Sequence, residues 1–464
     1  MTALVERLRT RAPRAPGSSA AGFDRRLIVP MILGSILNPV NSSMLAVALI
    51  PIGRAFGAAP SQTAWLVSGL YLATAVGQPV IGRLVDAFGP RPLYLAGTAL
   101  VGVAGVLGVG APTLGVLILS RVLLGFGTSA AYPASMSLLR SEADRTGMRS
   151  PSGVLAALSI SNQVIAVIGP TLGGLLIAAG GWHLIFAINV PLSAACLVLG
   201  AVRLPRRGRV ADAQRIDVLG MAQFAAMLTA FLLFLMSPGV GHIHLVAVAL
   251  IAAGTFVWRE LRTPQPFIDL RVLSGNAPLL ATYGRQVLAY TTSYSFLYGF
   301  TQWLEEGRSL SASGAGVVLL PMSVTAIVVT AVTGRDPRVR AKLLVGSAAQ
   351  VVGCTLLLVM GSGSAIWTIV LVAAVIGVPQ GLNGLANQNA LYAQADPERM
   401  GSSAGLLRTF MYLGALLASA ASAAFYREGA TTGGLHRLAV LLIAVSVLFL
   451  VVTVVDRSLS RVGR

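Results

Sequence analysis

The sequence of 464 residues contains few charged side chains: 11% are Asp, Glu, Lys or Arg, and Lys342 is the one lysine among 34 basic residues. Soluble domains carry roughly 25% charged residues. A soluble fold could not cover the 55% of this chain that is hydrophobic. Intrinsic disorder is excluded as well, because disordered segments are poor in apolar residues. The composition therefore predicts a membrane protein.

Cysteine is also scarce, since Cys196 and Cys354 are the only two and both lie in apolar runs. They form no disulfide framework, and His242 and His244 alone do not make a metal site. No Gly-x-x-x-x-Gly-Lys phosphate loop and no hydrolytic constellation occurs. We expect a non-enzymatic protein without metal, cofactor or nucleic-acid partner. The expected partners are a small-molecule substrate, protons and the lipid bilayer, and the expected state is a monomer.

What the sequence does have is a series of apolar runs of about 20 residues. The alternating strands of a transmembrane β-barrel do not produce such runs. Mean hydropathy is +0.78. We predict an all-α, polytopic protein with fourteen transmembrane helices. The predicted spans are 27–50, 62–83, 92–110, 113–135, 153–178, 182–202, 218–236, 243–258, 279–301, 313–333, 343–361, 364–388, 402–425 and 435–455.

The basic residues are distributed unevenly between the two sides of these spans. With the N-terminus in the cytoplasm, 27 lie in cytoplasmic segments, four in outside loops, and Arg121, Arg285 and Arg408 within spans. Cytoplasmic loops of membrane proteins collect Arg and Lys. The asymmetry thus predicts a multi-pass membrane protein with both termini cytoplasmic. The single lysine and the abundance of Ala and Gly indicate a bacterial source, so the expected location is the bacterial inner membrane.

An internal repeat indicates two six-helix pseudo-repeat bundles plus two inserted linker helices. Three residue pairs share a shift of 252 positions: Gly125 and Gly377, Asp144 and Asp396, Gly153 and Gly405. Parallel halves with a site between them are a transporter architecture. The predicted organisation is a basic tail 1–26, a bundle 27–203, a linker 204–217, two inserted helices 218–258, a cytoplasmic loop 259–278, a second bundle 279–456 and a tail 457–464.

Two charged motifs mark the first half. The loop after the second span reads Gly82-Arg-Leu-Val-Asp86-Ala-Phe-Gly89-Pro-Arg91, with glycines for a tight turn and charges at the cytoplasmic mouth. An ordinary positive-inside loop is the alternative interpretation. Arg121 begins a second motif that continues to Gly125 in span four. An intramembrane arginine is costly and by default a functional hypothesis, the alternative being an arginine that reaches the bilayer surface.

A third motif lies in span five and reads Gly169-Pro170-Thr-Leu-Gly173-Gly174. Its small residues allow close helix contact, and its proline kinks the span. With these motifs the chain resembles, over almost its whole length, the fourteen-spanner drug:proton antiporters of the major facilitator superfamily. The resemblance implies alternating access between two bundles and proton-driven export, with hydrophobic drugs as a common substrate class. It also implies that Asp86 docks near the start of helix thirteen and closes the inner gate.

One departure from the family concerns the proton carrier. The family often has an acidic residue in the first span, at the position of Asn41, and none of the sixteen acids here lies securely at mid-membrane. The nearest are Glu305 and Glu306 after span nine, so the expected carrier is one of these or the substrate itself. Because three arginines lie in spans, we expect the cavity to favour neutral or anionic amphiphiles over permanent cations.

The candidate substrate or coupling residues are polar groups within or beside the spans: Asn38, Asn41, Arg121, Asn162, Gln163, Arg285, Gln286, Tyr290, Tyr294, Tyr298, Gln380, Asn383, Asn387, Arg408 and Glu305. The tyrosines recur at i+4, which fits either substrate contact or packing and an interfacial belt. The span-twelve amides fit a site or interhelical hydrogen bonds. Three functions stay open: a proton-coupled exporter, a facilitator or exchanger of a neutral or anionic metabolite, and a non-transporting sensor or scaffold.

Overall fold

The computed structural model describes residues 23–45, 47–58, 60–147, 151–206, 216–236, 239–310, 312–426 and 429–462, which form helices and no strand. Most of the predicted tail 1–26 and linker 204–217 lies outside the described residues. The long helices are α1 Ile28–Leu45, α2 Trp65–Phe88, α3 Pro90–Val109, α4 Leu114–Thr146, α5 Ser152–Gly180, α6 His183–Arg203, α7 Val218–Met236, α8 Ile243–Glu260, α9 Ala277–Ser295, α10 Ala312–Thr333, α11 Val339–Leu356, α12 Ile366–Gln394, α13 Met400–Phe425 and α14 Thr432–Val455.

Thirteen helices of the described chain are long and apolar enough to cross a membrane. The helix that is not among them is α9, whose sequence is rich in Thr, Ser and Tyr. It continues through two π-helical segments, Phe296–Phe300 and Trp303–Gly307. Such segments are often found at functional sites. The all-helical, polytopic fold is thus confirmed, while the count of fourteen spans stays a prediction.

Helix limits differ from the predicted spans where polar residues extend or end a helix. The prediction 27–50 is too long, because α1 ends at Leu45 and a separate short helix occupies Leu49–Phe56. Conversely, α4 and α12 continue past the apolar runs to Thr146 and Gln394. A helix that leaves the bilayer can use polar residues for its last turns, so hydropathy does not mark its end.

The helices form two groups that repeat the same packing pattern. In the first group, α1 packs against α5, α2 against α4, and α3 against both α4 and α6. The second group repeats these pairs eight helices later, with α9 against α13, α10 against α12, and α11 against α12 and α14. Gly125 of α4 approaches α2 at Ala73 and Leu70, and Gly377 of α12 approaches α10 at Met322 and Thr325. The repeat-related glycines therefore occupy equivalent packing positions.

The two groups meet through α2 against α13 and through α5 against α10. The inserted hairpin of α7 and α8 lies beside this interface, because α7 packs against both α2 and α13. Its base is held by Asp217, which accepts a hydrogen bond from Gly220 N (2.8 Å) and pairs with Arg259. The Asp217 contacts thus join the two helices of the hairpin at their base.

The exposed side chains are unusually apolar. Leu250, Ile251 and Val332 are 67%, 68% and 77% exposed, although a water-soluble fold would bury such residues. Many buried side chains are polar, including Asn189 and Gln350. This distribution is that of helices whose outer surface faces lipid and whose polar groups are satisfied inside the bundle.

Both ends of the described chain lie on one face, which we call the terminal face. Near its start, Asp24 N donates to Glu142 Oε1 at 2.8 Å. Near its end, Ser458 Oγ accepts from Gln394 Nε2 at 3.4 Å. Because α1 begins on this face and successive helices run in opposite directions, α2, α4 and α6 end on it.

Candidate functional site

The central cavity lies between the two groups of helices and has a volume of about 470 Å³. Residues from both groups line it, contributed by α1, α2, α4, α5, α9, α10, α12 and α13 and the π-helical segment after α9. Pockets for drug-sized ligands have volumes of about 300–1,000 Å³. The cavity therefore has the size and position expected for a site between two halves.

Nine of the predicted polar residues line this cavity: Asn38, Asn162, Gln163, Tyr290, Tyr294, Tyr298, Gln380, Asn383 and Arg408. Two of them form hydrogen bonds across the halves. Asn38 Oδ1 accepts from Tyr412 Oη at 3.3 Å, and Gln163 Nε2 donates to Thr330 Oγ1 at 3.2 Å. These contacts join the halves at the level of the cavity.

The tyrosines of the α9 region face the cavity as a continuous row. The ring centroids of Tyr290 and Tyr294 are 6.0 Å apart, and those of Tyr294 and Tyr298 are 5.5 Å apart. On the other side, Tyr71 and Tyr412 approach to 5.7 Å. Such a surface offers aromatic rings and phenolic hydroxyl groups to a ligand.

Arg408 is the charged residue of the cavity. Its Cζ lies 4.1 Å from the ring centroid of Tyr132, and its Nη1 contacts Met411 Sδ at 3.5 Å. Its Nε, although buried, has no hydrogen-bond acceptor in the part of the chain that the structure describes. Among the described lining residues there is no Asp or Glu. The cavity thus presents a guanidinium group without a carboxylate partner.

Two predicted residues, Asn41 and Arg121, lie inside the first group and away from the cavity lining. Asn41 and Asn189 exchange side-chain hydrogen bonds of 2.6 and 2.9 Å. The fully buried Arg121 donates from Nε to Leu66 O (3.1 Å) and from Nη2 to Asn41 O (3.3 Å). Arg121 therefore joins α1, α2 and α4 through backbone carbonyl groups.

A second buried cluster contains Arg285, Gln286 and Asn387 and also lies away from the cavity lining. Arg285 Nη1 donates to Asp456 Oδ2 at 2.7 Å, and Arg285 Nη2 donates to Thr282 Oγ1 at 2.7 Å. Asn387 Nδ2 donates to Gln286 Oε1 at 3.2 Å. Asp456, at the end of α14, thus neutralises the charge of Arg285. The Arg285 side chain is held by this ion pair inside the protein and does not extend unpaired to the bilayer surface.

Glu305 is exposed and is not among the cavity residues, so the structure does not bring it to the other predicted site residues. Its neighbour Glu306 is exposed too and accepts a hydrogen bond from Ala430 N at 2.8 Å. This bond and one from Gln302 lower the pKa of Glu306. Both acids lie at the end of the helix that is remote from the terminal face.

Asp86 lies at the end of α2 and contacts the first turn of α13 in the other half. Its Oδ1 accepts from Gly401 N (2.7 Å), its Oδ2 accepts from Ser402 N (2.8 Å), and the Ser402 hydroxyl group also donates to it. The N-terminus of a helix carries free N–H groups and partial positive charge. The contact implied by the family resemblance is present, and it lies on the terminal face.

Glycines allow the close approach of α2 and α13. A Cβ at Gly82 would collide with the carbonyl group of Gly401, and a Cβ at Gly405 would lie 2.9 Å from Pro79 Cα. Gly89 has a φ of 89°, which favours glycine at the turn into α3. Arg91 follows this turn and donates to Ala201 O at 2.7 Å, so it contacts α6 of its own half.

The motif of α5 positions this helix against α1. A Cβ at Gly173 would lie 2.9 Å from Met44 O, and one at Gly169 would collide with Ser43. No atom of the described part of the chain lies within 4 Å of a Cβ at Gly174, so no close contact there requires glycine. Pro170 lines the cavity, and α5 remains continuous through it.

The cavity is closed toward the terminal face and continues away from it. Besides the Asp86 contact, Tyr392 Oη donates to Leu139 O at 3.4 Å across the halves. Gly334, just after α10, also lies so close to Ala156 of α5 that a Cβ at Gly334 would collide with it, so the two halves are in tight contact here. In the opposite direction, a second cavity of about 380 Å³ shares Tyr71, Tyr298 and Tyr412 with the first. The described chain is therefore in a conformation whose site faces away from the termini.

Some cavity residues were absent from the prediction. They are Tyr71, Gln78, Thr128, Tyr132 and Tyr412, together with several serines. A tyrosine within a span is not distinguishable by composition from one at the membrane interface. Tyr412, however, follows Arg408 by four residues and shares its face of α13, a spacing that could have identified it.

Comparisons with known proteins agree with this architecture. The family model of the Major Facilitator Superfamily matches residues 31–419. The chain is 33% identical over 402 residues to the uncharacterised MFS-type transporter YwoD of Bacillus subtilis (strain 168), which covers 83% of this chain and 86% of that protein. It is 32% identical over 325 residues to a multidrug resistance protein B homolog of Mycobacterium tuberculosis, covering 68% of this chain and 59% of that protein. The crystal structure of the human organic anion transporter TETRAN has a TM-score of 0.64 at 15% identity, covering 92% and 99% of the two chains.

Proposed function

The chain belongs to the major facilitator superfamily and is a multi-pass transporter of small molecules, and from that premise we propose that it exports drugs or hydrophobic metabolites across a bacterial inner membrane. The observation that carries this proposal is the central cavity, which is lined by both halves and closed toward the terminal face. A resistance protein among its relatives supports export as the direction. The 27-to-4 distribution of basic residues supports a cytoplasmic terminal face.

In this proposal the two halves rock about the cavity. When the contact of Asp86 with α13 opens, the cavity becomes accessible from the cytoplasm and admits substrate. When the contact forms again, the cavity opens to the outside, which is the described conformation. Rigid movement of one helix bundle against another around a fixed site is how such repeats operate.

A facilitator or exchanger of a neutral or anionic metabolite is the second candidate, and a specific observation favours it. Proton carriers inside membranes are usually embedded carboxylates. The described residues lining the cavity include none. Proton coupling, implied by the family resemblance, would then need a carrier outside the cavity or a proton carried by the substrate.

The test of export uses a variant that fills the cavity. Ala166 of α5 lines the cavity and is exposed, so Ala166→Trp should block the site with little effect on packing. Leu175→Trp is the matched control, because Leu175 lies on the same helix, is 65% exposed and does not line the cavity. The measurement is the composition of the medium and the drug susceptibility of a bacterium that overexpresses each form.

Compounds that the wild type and Leu175→Trp export should be retained in cells that produce Ala166→Trp. Equal export by Ala166→Trp, at equal amounts of protein in the membrane, would show that the central cavity is not the transport route.

A further inference from the structure

The charge of the central cavity points to a class of substrate. Among the described residues that line it, Arg408 is the one with a formal charge at neutral pH, and no Asp, Glu or Lys accompanies it. Two further intramembrane arginines were expected to add positive charge. The structure removes both from the cavity lining, since Arg121 donates to backbone carbonyl groups and Arg285 pairs with Asp456.

Two buried polar atoms at this position, Arg408 Nε and Tyr132 Oη, have no hydrogen-bond partner among the residues that the structure describes. The two side chains touch, because the guanidinium group lies 4.1 Å from the Tyr132 ring centroid. A ring face attracts a cation but accepts none of its in-plane N–H bonds. Buried donors without partners are costly, so this arrangement calls for an acceptor group supplied by a ligand.

The remaining surface of the cavity is aromatic. Besides Tyr132, five tyrosines line it: Tyr71, Tyr290, Tyr294, Tyr298 and Tyr412. Successive rings in the α9 row are 5.5–6.0 Å apart, which is the spacing of aromatic side chains that pack by tilted contacts. An aromatic ligand can enter this row by the same kind of contact.

We propose that the central cavity binds an aromatic monoanion, whose charged group is held by Arg408 and Tyr132 while its ring system lies among the cavity tyrosines. This inference rests on the proposed function, because it names the substrate class of the same site. The volume of about 470 Å³ admits a drug-sized compound of several rings. A carboxylate or sulfonate suits Arg408 because a guanidinium group donates two parallel hydrogen bonds to such an anion.

A permanent cation is disfavoured at the same site. It would lose its hydration shell next to an arginine and find no carboxylate among the described lining residues. A neutral amphiphile of the same shape would keep the aromatic contacts but leave the donors of Arg408 and Tyr132 without an anionic acceptor. The expected order of affinity is therefore anion, neutral compound, cation.

The test uses three probes that share one ring system: 2-naphthalenesulfonate, 2-naphthalenesulfonamide and 2-naphthyltrimethylammonium. Equilibrium binding of each is measured on the purified full-length protein in lipid nanodiscs. The variants are Arg408→Gln, which removes the charge, and Arg408→Lys, which keeps it. Arg437→Gln is the matched control, because Arg437 is exposed near the start of α14 and does not line the cavity.

The wild type and Arg437→Gln should bind the sulfonate most tightly. Arg408→Gln should weaken sulfonate binding by about tenfold or more, which is the effect of a lost charge-assisted hydrogen bond. Sulfonamide binding should change by less than about threefold, which also reports that the variant is folded. Arg408→Lys should restore part of the sulfonate affinity, since it keeps the charge but not the planar fork of donors.

Three results would overturn the inference: cation binding as tight as anion binding, sulfonate affinity unchanged in Arg408→Gln, or no saturable sulfonate binding up to about 1 mM. The failure of the proposed function has a different signature. If the sulfonate binds through Arg408 but reconstituted vesicles do not move it, the ligand class stands and the export proposal fails. If the vesicles transport all three probes independently of Arg408, export stands and the ligand class is wrong.

Discussion

Asp86 and Ser402 join the two halves of the protein at the terminal face, because the Asp86 carboxylate accepts both the backbone N–H (2.8 Å) and the hydroxyl group of Ser402. Ser402 lies in the first turn of α13, 26 residues long, so the carboxylate also faces the positive end of a long helix. One side chain thus combines a charge–dipole contact with hydrogen bonds that can form only when the halves are together on this side.

We predict that Asp86→Asn opens the terminal face. A negative charge at a helix N-terminus contributes about 0.3–2 kcal/mol, and here it stabilises the conformation that is closed at the terminal face. Its loss should therefore raise the population of the conformation open at this face by about 2- to 30-fold. A cysteine at Ala156 reports opening, since this buried residue lies against Gly334 of the other half. Its rate of labelling should increase in the Asp86→Asn background.

The control for this measurement is Asp336→Asn. Asp336 is partly exposed and pairs with Arg338 two residues later, and it makes no contact between the halves that the structure describes. Native Cys196 and Cys354 are buried and should contribute little labelling. Equal labelling rates in the wild type and Asp86→Asn would remove the gate role of Asp86.

The internal repeat supplies a matched pair of glycines for a second prediction. A Cβ at Gly405 would lie 2.9 Å from Pro79 Cα and closer still to the backbone of Gln78, whereas no atom of the described residues lies within 4 Å of a Cβ at Gly153. Gly405→Ala should therefore prevent close approach of α2 and α13 and reduce transport. Gly153→Ala should leave the transport rate within about twofold of wild type, as expected for a substitution without steric conflict.

The comparison is made by transport assays in vesicles that contain equal amounts of each variant. A similar loss of transport in both would mean that helix flexibility, and not the contact between α13 and α2, makes glycine necessary at the two positions.

A third prediction concerns the buried ion pair of Arg285 and Asp456. Their side chains are 0% and 7% exposed, so Arg285→Met leaves an uncompensated buried charge. Breaking such a pair costs about 3–5 kcal/mol, whereas replacing both partners by apolar residues is often neutral. Arg285→Met should lower the melting temperature in detergent, and the double variant Arg285→Met/Asp456→Leu should recover most of it.

Transport by the double variant decides whether Arg285 acts only in folding. Because the structure places Arg285 outside the cavity lining, we expect the recovered protein to transport the same anions as the wild type. A stable double variant that selectively loses anion transport would instead mean that Arg285 meets the substrate in another conformation.

The fourth prediction concerns the driving force. Export of a monoanion moves one negative charge outward, so an inside-negative membrane potential favours export. At equilibrium, the ratio of outside to inside concentration rises tenfold for each 59 mV or so. In vesicles, the final 2-naphthalenesulfonate gradient should follow a valinomycin-imposed potassium potential. A pH gradient alone should have little effect.

Glu305→Gln and Glu306→Gln should leave this behaviour unchanged. Both acids are exposed outside the cavity, and the hydrogen bond from Ala430 keeps the pKa of Glu306 below its usual value. Glu306 therefore stays ionised at neutral pH, and its bond to Ala430 would be lost only as the pH falls through that lowered pKa. Accumulation driven by a pH gradient without a potential, and abolished in either variant, would establish proton coupling through these acids.

Much of this protein could be predicted from its sequence because the determining physics is local along the chain. Each apolar run must form a helix with its backbone hydrogen bonds inside the span, so the all-helical fold and the approximate position of most helices follow from hydropathy. The glycine motif of α5 likewise predicts close contact with a neighbour, since a small side chain has few other reasons to recur at that spacing.

The tertiary structure alone decided which polar residues share the cavity. Arg121, Arg285 and Arg408 are equivalent in sequence terms, yet one donates to backbone carbonyl groups, one pairs with Asp456 at a separation of 171 residues, and one faces the cavity without an acid. A helix has a face toward its partner and a face toward the cavity, and periodicity does not say which is which. That distinction depends on how α9, α12, α13 and α14 pack, and therefore on contacts between residues far apart in the chain.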